Sequence, residues 1–173
     1  MKTLRTMAAV VTAFVFAVSP GWAQTSDDKA KEHAELAKAL KDAKIPLQQG
    51  LTASAKEGKP ISAKYEVEDG KLQLSVYTMK ADKFSEVIVD HKTGKIAKTE
   101  PITQGDDLTH AKEQSDAMSK AKRSLGAAAS EAVKENKGYR VVSVMPALKD
   151  GHPVADVTIV KGSDWKTVSE KLD

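Results

Sequence analysis

The chain has 173 residues, with 27 Lys and Arg against 24 Asp and Glu, and a formal net charge of +3 at neutral pH. Two of the basic residues lie within the first five positions, so the rest of the chain is close to neutral and lacks the clustered basic face expected of a nucleic-acid-binding protein. Cysteine is absent, which excludes disulfides, thiolate metal ligands and thiol catalysis.

Residues 1–23 have the features of a bacterial signal peptide. Two basic residues precede Met7–Val18, a predominantly apolar run of 12 residues, and small residues, Gly21 and Ala23, occupy the −3 and −1 positions of a cleavage site. The apolar run is shorter than the roughly 20 residues that span a bilayer, which disfavours the alternative of an uncleaved anchor. We expect cleavage between Ala23 and Gln24, a periplasmic or secreted location, and no membrane attachment after cleavage.

Two helical segments are predicted before the first strand. Alanine and leucine recur at spacings of three and four residues from Ala30 to Ala43, the pattern of an amphipathic helix. Pro46 interrupts this pattern, because the residue before a proline is pushed away from helical angles. A second segment starts at Pro46 and continues to Ala55, before Gly58 and a further proline end it.

The segment Ile61–Ile96 predicts the centre of the fold. Apolar and polar residues alternate from Ile61 to Glu68, and Asp69-Gly70 can adopt the positive backbone angles of a tight turn before a return strand. A third strand is predicted at Phe84–Val89. One face of these strands is apolar and the other polar, which predicts an antiparallel sheet covered by helices on one side.

The remainder of the chain predicts a linker at Thr99–Asp107, then a single helix of twenty-odd residues from Thr109 to Val133. A second β-rich stretch begins at Tyr139 and turns at Asp150-Gly151. A shift of 81 residues superimposes the two Asp-Gly turns and the apolar residues that follow them, which indicates a duplication. Residues 163–173 fit helical spacing as well, but the duplication favours a strand.

The sequence therefore predicts an α+β protein made of two repeats, each a helix packed on an antiparallel sheet. Residues 1–23 would be the cleaved signal peptide, residues 24–100 the first repeat, and residues 101–173 a second, degenerate repeat.

The first half combines an alanine-rich helix, an alternating hairpin and a D-x-x-T-G turn that follows the third strand. The residues that form this pattern are Ala37, Leu40, Ala43, Ala63, Tyr65, Val67, Asp69, Gly70, Leu74, Val76, Val87 to Asp90, Thr93 and Gly94. The pattern resembles the PepSY domain. This resemblance implies a small α+β unit without catalytic residues, of a kind found in the propeptides of thermolysin-like peptidases and in exported bacterial proteins, where it binds or restrains peptidases. The D-x-x-T-G turn has no counterpart in the second half.

Four residues are candidates for a partner-binding surface. Tyr77 is an aromatic residue on the polar face of its strand. Asp90, Thr93 and Gly94 form a turn that could be a ligand loop, although side-chain bonding to nearby backbone and a left-handed glycine explain the same residues.

No catalytic, cofactor-binding or metal-binding residue is predicted. The four histidines lack the spacing of metal ligands, and the acidic residues at the first hairpin are typical of a solvated turn. The predicted function is an exported, non-enzymatic module that binds another protein, with a peptidase as the partner class implied by the resemblance. The alternative is a periplasmic protein that responds to a metal or a small ligand. The sequence leaves the oligomeric state open.

Overall fold

The computed structural model describes residues 26–173, so the predicted signal peptide and its cleavage site at Ala23 and Gln24 lie outside the described residues. The described chain is α+β, with four α-helices, one short 3₁₀ turn and one antiparallel sheet of seven strands. No helix in this part of the chain is long and apolar enough to span a membrane. The helices are α1 (Ser26–Ala39), α2 (Leu47–Ser54), α3 (Gly105–Lys120) and α4 (Leu125–Glu135), with the 3₁₀ turn at Leu40–Asp42. The strands are β1 (Lys59–Glu68), β2 (Lys71–Lys80), β3 (Lys83–Val89), β4 (Ile96–Ile102), β5 (Arg140–Lys149), β6 (His152–Lys161) and β7 (Asp164–Lys171).

The seven strands are ordered β4-β3-β2-β1-β5-β6-β7. Strands β1 to β4 follow one another across one half of the sheet, and β5 to β7 do so across the other half. Between the halves, β1 and β5 pair through two residue pairs, Ala63 with Val144 and Lys64 with Ser143. By contrast, β1 and β2 pair through nine residue pairs. The middle of the sheet is therefore joined by a short ladder.

Both predicted Asp-Gly hairpins are confirmed. Asp69 and Gly70 have φ angles of 49° and 71°, and Asp150 and Gly151 have φ angles of 52° and 80°. Two successive residues with positive φ form the turn whose twist matches that of the flanking strands. The strand predicted for the C-terminal segment is also confirmed, because Asp164–Lys171 pairs along β6.

The predicted linker at Thr99–Asp107 is wrong. Strand β4 occupies Ile96–Ile102 and pairs with β3, and α3 begins three residues after that strand, at Gly105. The predicted boundary between residues 100 and 101 falls inside this strand. Pro101 suggested a loop because proline removes a ladder donor, but β4 is an edge strand, where proline is tolerated.

The single helix predicted from Thr109 to Val133 is also wrong. The chain leaves the helical path at residues 121–124, between α3 and α4. There the backbone N–H groups of Lys122 and Arg123 donate to the carbonyl oxygen of Leu172, at 2.6 and 2.9 Å. The spacing of small apolar residues continues through this break, so periodicity could not reveal it. The backbone between the two helices is bonded to Leu172, about fifty residues later in the sequence, so local patterns do not indicate the break.

Helices α2 and α4 cover the apolar face of the sheet and contact each other. Gly50 of α2 lies so close to Leu74 that an added Cβ would be 2.5 Å from a Leu74 methyl carbon. This close approach requires glycine and lets α2 pack directly on β2. The residues of this face that are at most 2% exposed include Ala63, Tyr65, Leu74, Val76, Val87, Val89, Val144 and Val157.

Helix α3 lies on the opposite, polar face. The hydroxyl of Tyr77 in β2 donates to the carboxylate of Asp107 at 2.7 Å, and the amide nitrogen of Gln114 is 3.8 Å from the sulfur of Met145 in β5. The prediction that helices cover one side alone is therefore wrong. Helix α3 contacts the sheet partly through polar side chains. The prediction is based on the apolar faces of the strands, and such a pattern does not reveal polar contacts.

The middle and C-terminal parts of α1 lie at the same polar face. The ring of His33 stacks on that of Trp165 in β7, with centroids 4.0 Å apart. Side chains alternate along a strand, so Trp165 shares a face with Thr167, which pairs with Thr158 of β6. Helices α1 and α3 thus flank an open stretch of the polar face.

Candidate binding cleft

An open cleft of about 2000 Å³ lies along the polar face, with residues of α1 and β1–β7 and the start of α3 in its lining. We call it the polar cleft. Its floor includes a row of residues at matching register across six strands: Thr158, Ser143, Lys64, Ile88 and Lys98, with Ser75 between Lys64 and Ile88. Since neighbouring strands are about 4.8 Å apart, this row is roughly 24 Å long.

Acidic side chains gather around Tyr77 in the first half of the floor. Asp107 accepts the hydrogen bond of the Tyr77 hydroxyl, and Glu86 of β3 accepts one from the hydroxyl of Ser75. Glu66 of β1 pairs with Lys64 at 2.5 Å. The three carboxylates come from β1, β3 and α3, so the sheet and the crossing helix bring together residues that are distant in the chain.

Burial dominates the electrostatics of this cluster. It raises the pKa of Glu86, and the negative charges of Glu66 and Asp107 act in the same direction, against the Ser75 hydrogen bond and Lys64. Burial, together with the hydrogen bond to Asp107, also raises the pKa of Tyr77 far above its usual value. Tyr77 therefore remains a protonated donor at neutral pH, while the charged form of Glu86 is disfavoured by its surroundings.

Replacing Glu86 with glutamine should stabilise the protein at neutral pH. Because the pKa of Glu86 is higher in the folded chain than in the unfolded chain, the wild-type free energy of unfolding should fall as pH rises from about 4.3 through the folded pKa. The difference between Glu86→Gln and wild type should be smallest below that window and largest above it. Urea unfolding of both proteins from pH 4 to pH 8 measures this; a variant less stable than wild type at pH 7 would contradict it.

Of the four residues predicted as a partner surface, two line the polar cleft and two do not. Tyr77 and Asp90 line the polar cleft, Tyr77 as a half-buried side chain whose hydroxyl is already bonded; Thr93 and Gly94 are outside the lining. Asp90 accepts hydrogen bonds from the backbone N–H of Lys92 and Thr93, at 3.0 and 2.6 Å, and from the Thr93 hydroxyl at 2.8 Å. These bonds, that of the Thr93 hydroxyl first, hold the pKa of Asp90 below its usual value. They account for the turn without a ligand.

Replacing Gly94 with alanine should destabilise the protein by about 1 kcal/mol, because the residue has φ +75°, where a side chain strains the backbone. An added Cβ would also lie 2.6 Å from the amide nitrogen of Gln49, but that atom ends a flexible, exposed side chain that can move away. Gly70 is a matched control with φ +71° and nothing within 4 Å of an added Cβ, so Gly70→Ala should cost the same backbone strain. Thermal unfolding compares the two variants, and a much larger loss in Gly94→Ala would contradict this freedom of Gln49.

The sequence does not identify the three carboxylates around Tyr77, those of Glu66, Glu86 and Asp107, as a cluster. Glu66 is one of the acidic residues predicted to lie in a solvated turn at the first hairpin, yet it is half-buried and paired with Lys64. Glu86 lies between Phe84 and Ile88 on one face of a predicted strand. A charged residue between apolar neighbours on one face of a strand is a sequence signal for a functional carboxylate. Asp107 lies in the segment predicted as a linker, and no local pattern indicates its contact with Tyr77.

Among residues 26–173, no group of three or more potential ligands is arranged to hold a metal ion. Two of the four histidines have other partners: the ring of His33 stacks on Trp165, and the Nδ1 of His152 is 2.9 Å from a carboxylate oxygen of Asp173.

No protein-family profile matches the sequence, and no curated protein matches it. A solved structure of a putative lipoprotein from Clostridium difficile 630 is similar, with 16% sequence identity and a TM-score of 0.41. The alignment covers 76% of this chain and 89% of that one. A similarity of this size identifies no function.

Proposed function

We propose that this protein is an exported, non-catalytic binding module of the PepSY type that holds a segment of another envelope or secreted protein in the polar cleft. A peptidase is the partner class implied by the resemblance. The observation that carries the proposal is the cleft itself. At about 2000 Å³ it exceeds the roughly 300–1,000 Å³ typical of small-molecule pockets, and it is open along the sheet.

The chemistry of the cleft supports binding more than catalysis. A tyrosine whose pKa is raised stays protonated and is a poor nucleophile or base. Among the described residues, the hydroxyl of Ser75 donates to Glu86, so these two polar groups of the floor are bonded to each other. Both groups are suited to recognising a partner through hydrogen bonds and charge.

We further propose that the two halves arose by duplication. Each half runs helix, helix and then consecutive antiparallel strands, and the first hairpin of each half has its Asp-Gly turn in the same left-handed geometry. The short ladder between Ala63–Lys64 of β1 and Ser143–Val144 of β5 is then the junction of the two repeats. The polar cleft crosses this junction, so both repeats would contribute to binding. Export through the N-terminal signal sequence would deliver the module to its partner.

Site-specific photo-crosslinking tests the proposed function. A photoreactive amino acid replaces Gln73, which lines the cleft, or Glu135, which is exposed on α4 beyond the lining. In cells that export the protein, we expect a defined covalent adduct from position 73 and none from position 135, with the partner identified by mass spectrometry. Adducts of equal yield at both positions, or none at position 73, would contradict a binding role for the cleft.

A further inference from the structure

We infer that the partner segment in the polar cleft is an extended polypeptide carrying Lys or Arg side chains; the inference rests on the binding function proposed above. The first argument is charge. Ten carboxylate side chains and six lysines line the cleft, although the whole chain carries more basic than acidic residues. The polar face is therefore locally acidic on a protein that is otherwise slightly basic, and this contrast favours a cationic partner.

The second argument is the state of the carboxylates at the centre of the cleft. Among residues 26–173, Glu86 and Asp107 accept hydrogen bonds from the hydroxyls of Ser75 and Tyr77, and neither pairs with a lysine or an arginine. Glu66 pairs with Lys64. An ammonium or guanidinium group from a partner would form charge-assisted hydrogen bonds with Glu86 and Asp107 and reduce their mutual repulsion.

The third argument is shape. The floor follows six strands over roughly 24 Å, so an extended chain rising about 3.3 Å per residue would cross it with seven or eight residues. Beyond Lys64 the floor continues through Ser143 and Thr158, whose short hydroxyl side chains leave room for a backbone and can bond to it. An acidic centre and a neutral continuation together fit a peptide with a basic side chain in register with Glu86.

The same charge disfavours anionic partners. Nucleic acids and acidic lipid headgroups would be repelled by the excess of carboxylates along the lining. A polyamine such as spermidine shares the ammonium chemistry of lysine but has no peptide groups to bond with the hydroxyls of the floor. It is therefore the competitor that the experiment must separate from a polypeptide.

Isothermal titration calorimetry of the purified protein with synthetic peptides tests the inference. The probe is an alternating Lys–Thr peptide long enough to cross the cleft, compared with Gln–Thr and Glu–Thr peptides of the same length. We expect the Lys–Thr peptide to bind about tenfold more tightly than the Gln–Thr peptide, the Glu–Thr peptide to bind most weakly, and added salt to reduce the difference.

Charge-removing variants locate the interaction. Glu86→Gln and Glu66→Gln should each weaken binding of the Lys–Thr peptide about tenfold. The matched control, Glu135→Gln, removes the same charge from an exposed position outside the cleft and should change binding by less than about twofold. Thermal unfolding establishes that the variants fold, and Glu86→Gln should be at least as stable as wild type.

Three results of the titrations would overturn the inference. They are equal or absent binding of the Lys–Thr and Gln–Thr peptides, unchanged binding in Glu86→Gln and Glu66→Gln, and spermidine binding as tightly as the Lys–Thr peptide. A partner that crosslinks at position 73 with the same yield in wild type and in both glutamine variants would also overturn it while leaving the proposed function in place. The absence of any adduct at position 73 in the otherwise wild-type protein would instead contradict the proposed function.

Discussion

Replacing Arg140 with alanine should lower the free energy of unfolding by about 3 kcal/mol, since hydrogen bonds from a charged donor contribute roughly 1.5–3 kcal/mol each and are not additive. Arg140 begins β5, in the second half of the chain. Its guanidinium donates to the carbonyl oxygens of Leu40, Ala43 and Ile45 in the first half, at 2.8, 3.2 and 2.8 Å. It also lies 5.4 Å from the centre of the Tyr65 ring.

These contacts connect the two halves at one end of the short ladder between β1 and β5. The Tyr65 hydroxyl donates to the same Ile45 carbonyl at 2.8 Å, so the loop that leads from α1 to α2 is held by two side chains. Without Arg140, the carbonyl groups of this loop lose their charged donor, and the side chain that spans the junction is missing.

Urea unfolding measures the loss, and two variants define its cause. Arg140→Lys keeps the charge but not the planar fork of donors, and should recover less than half of the stability. Arg123→Ala removes a guanidinium that makes an exposed hydrogen bond to the carbonyl oxygen of Lys171 at 2.9 Å, and should cost less than about 1 kcal/mol. Equal losses for Arg140→Ala and Arg123→Ala would contradict the role of Arg140 in joining the halves.

Replacing Leu74 with alanine should be as damaging, with an expected loss of about 3–4 kcal/mol. Leu74 is fully buried in β2 and packs beneath Gly50 of α2. Removing the side chain takes apolar surface out of the core and leaves a cavity, because the backbone of α2 cannot collapse fully onto the strand. The same substitution at Leu148, which is 40% exposed, should change stability by less than about 0.5 kcal/mol.

Thermal and urea unfolding of the two leucine variants test this difference. A second readout is the packing of α2 itself: amide hydrogen exchange in α2 should accelerate in Leu74→Ala and remain unchanged in Leu148→Ala. Comparable unfolding free energies for the two variants would contradict a large contribution of the contact between α2 and β2 to the stability of the core.

The sequence by itself determined six of the seven strands of the described residues, all but β4, and the two Asp-Gly turns. Alternation along Ile61–Glu68 and the Asp-Gly pairs required nothing beyond neighbouring residues, because a strand has a period of two and a tight turn needs local backbone angles. The final strand followed from the similarity between the two halves, since the spacing of its own apolar residues also fitted a helix. In each of these cases the information lay within a few residues or in the similarity between the two halves of the sequence.

Only the tertiary structure decided how these elements combine. Strand β4 exists because β3 offers a partner edge, and α3 separates from α4 where the backbone finds the carbonyl of Leu172. The acidic centre of the cleft depends on α3 crossing the polar face, where Asp107 meets Tyr77 across 30 residues of sequence. The pattern of apolar and polar residues along the sequence indicates which side chains are buried. It does not indicate which polar groups will bond to one another, because a hydrogen bond between distant residues leaves no period in the sequence.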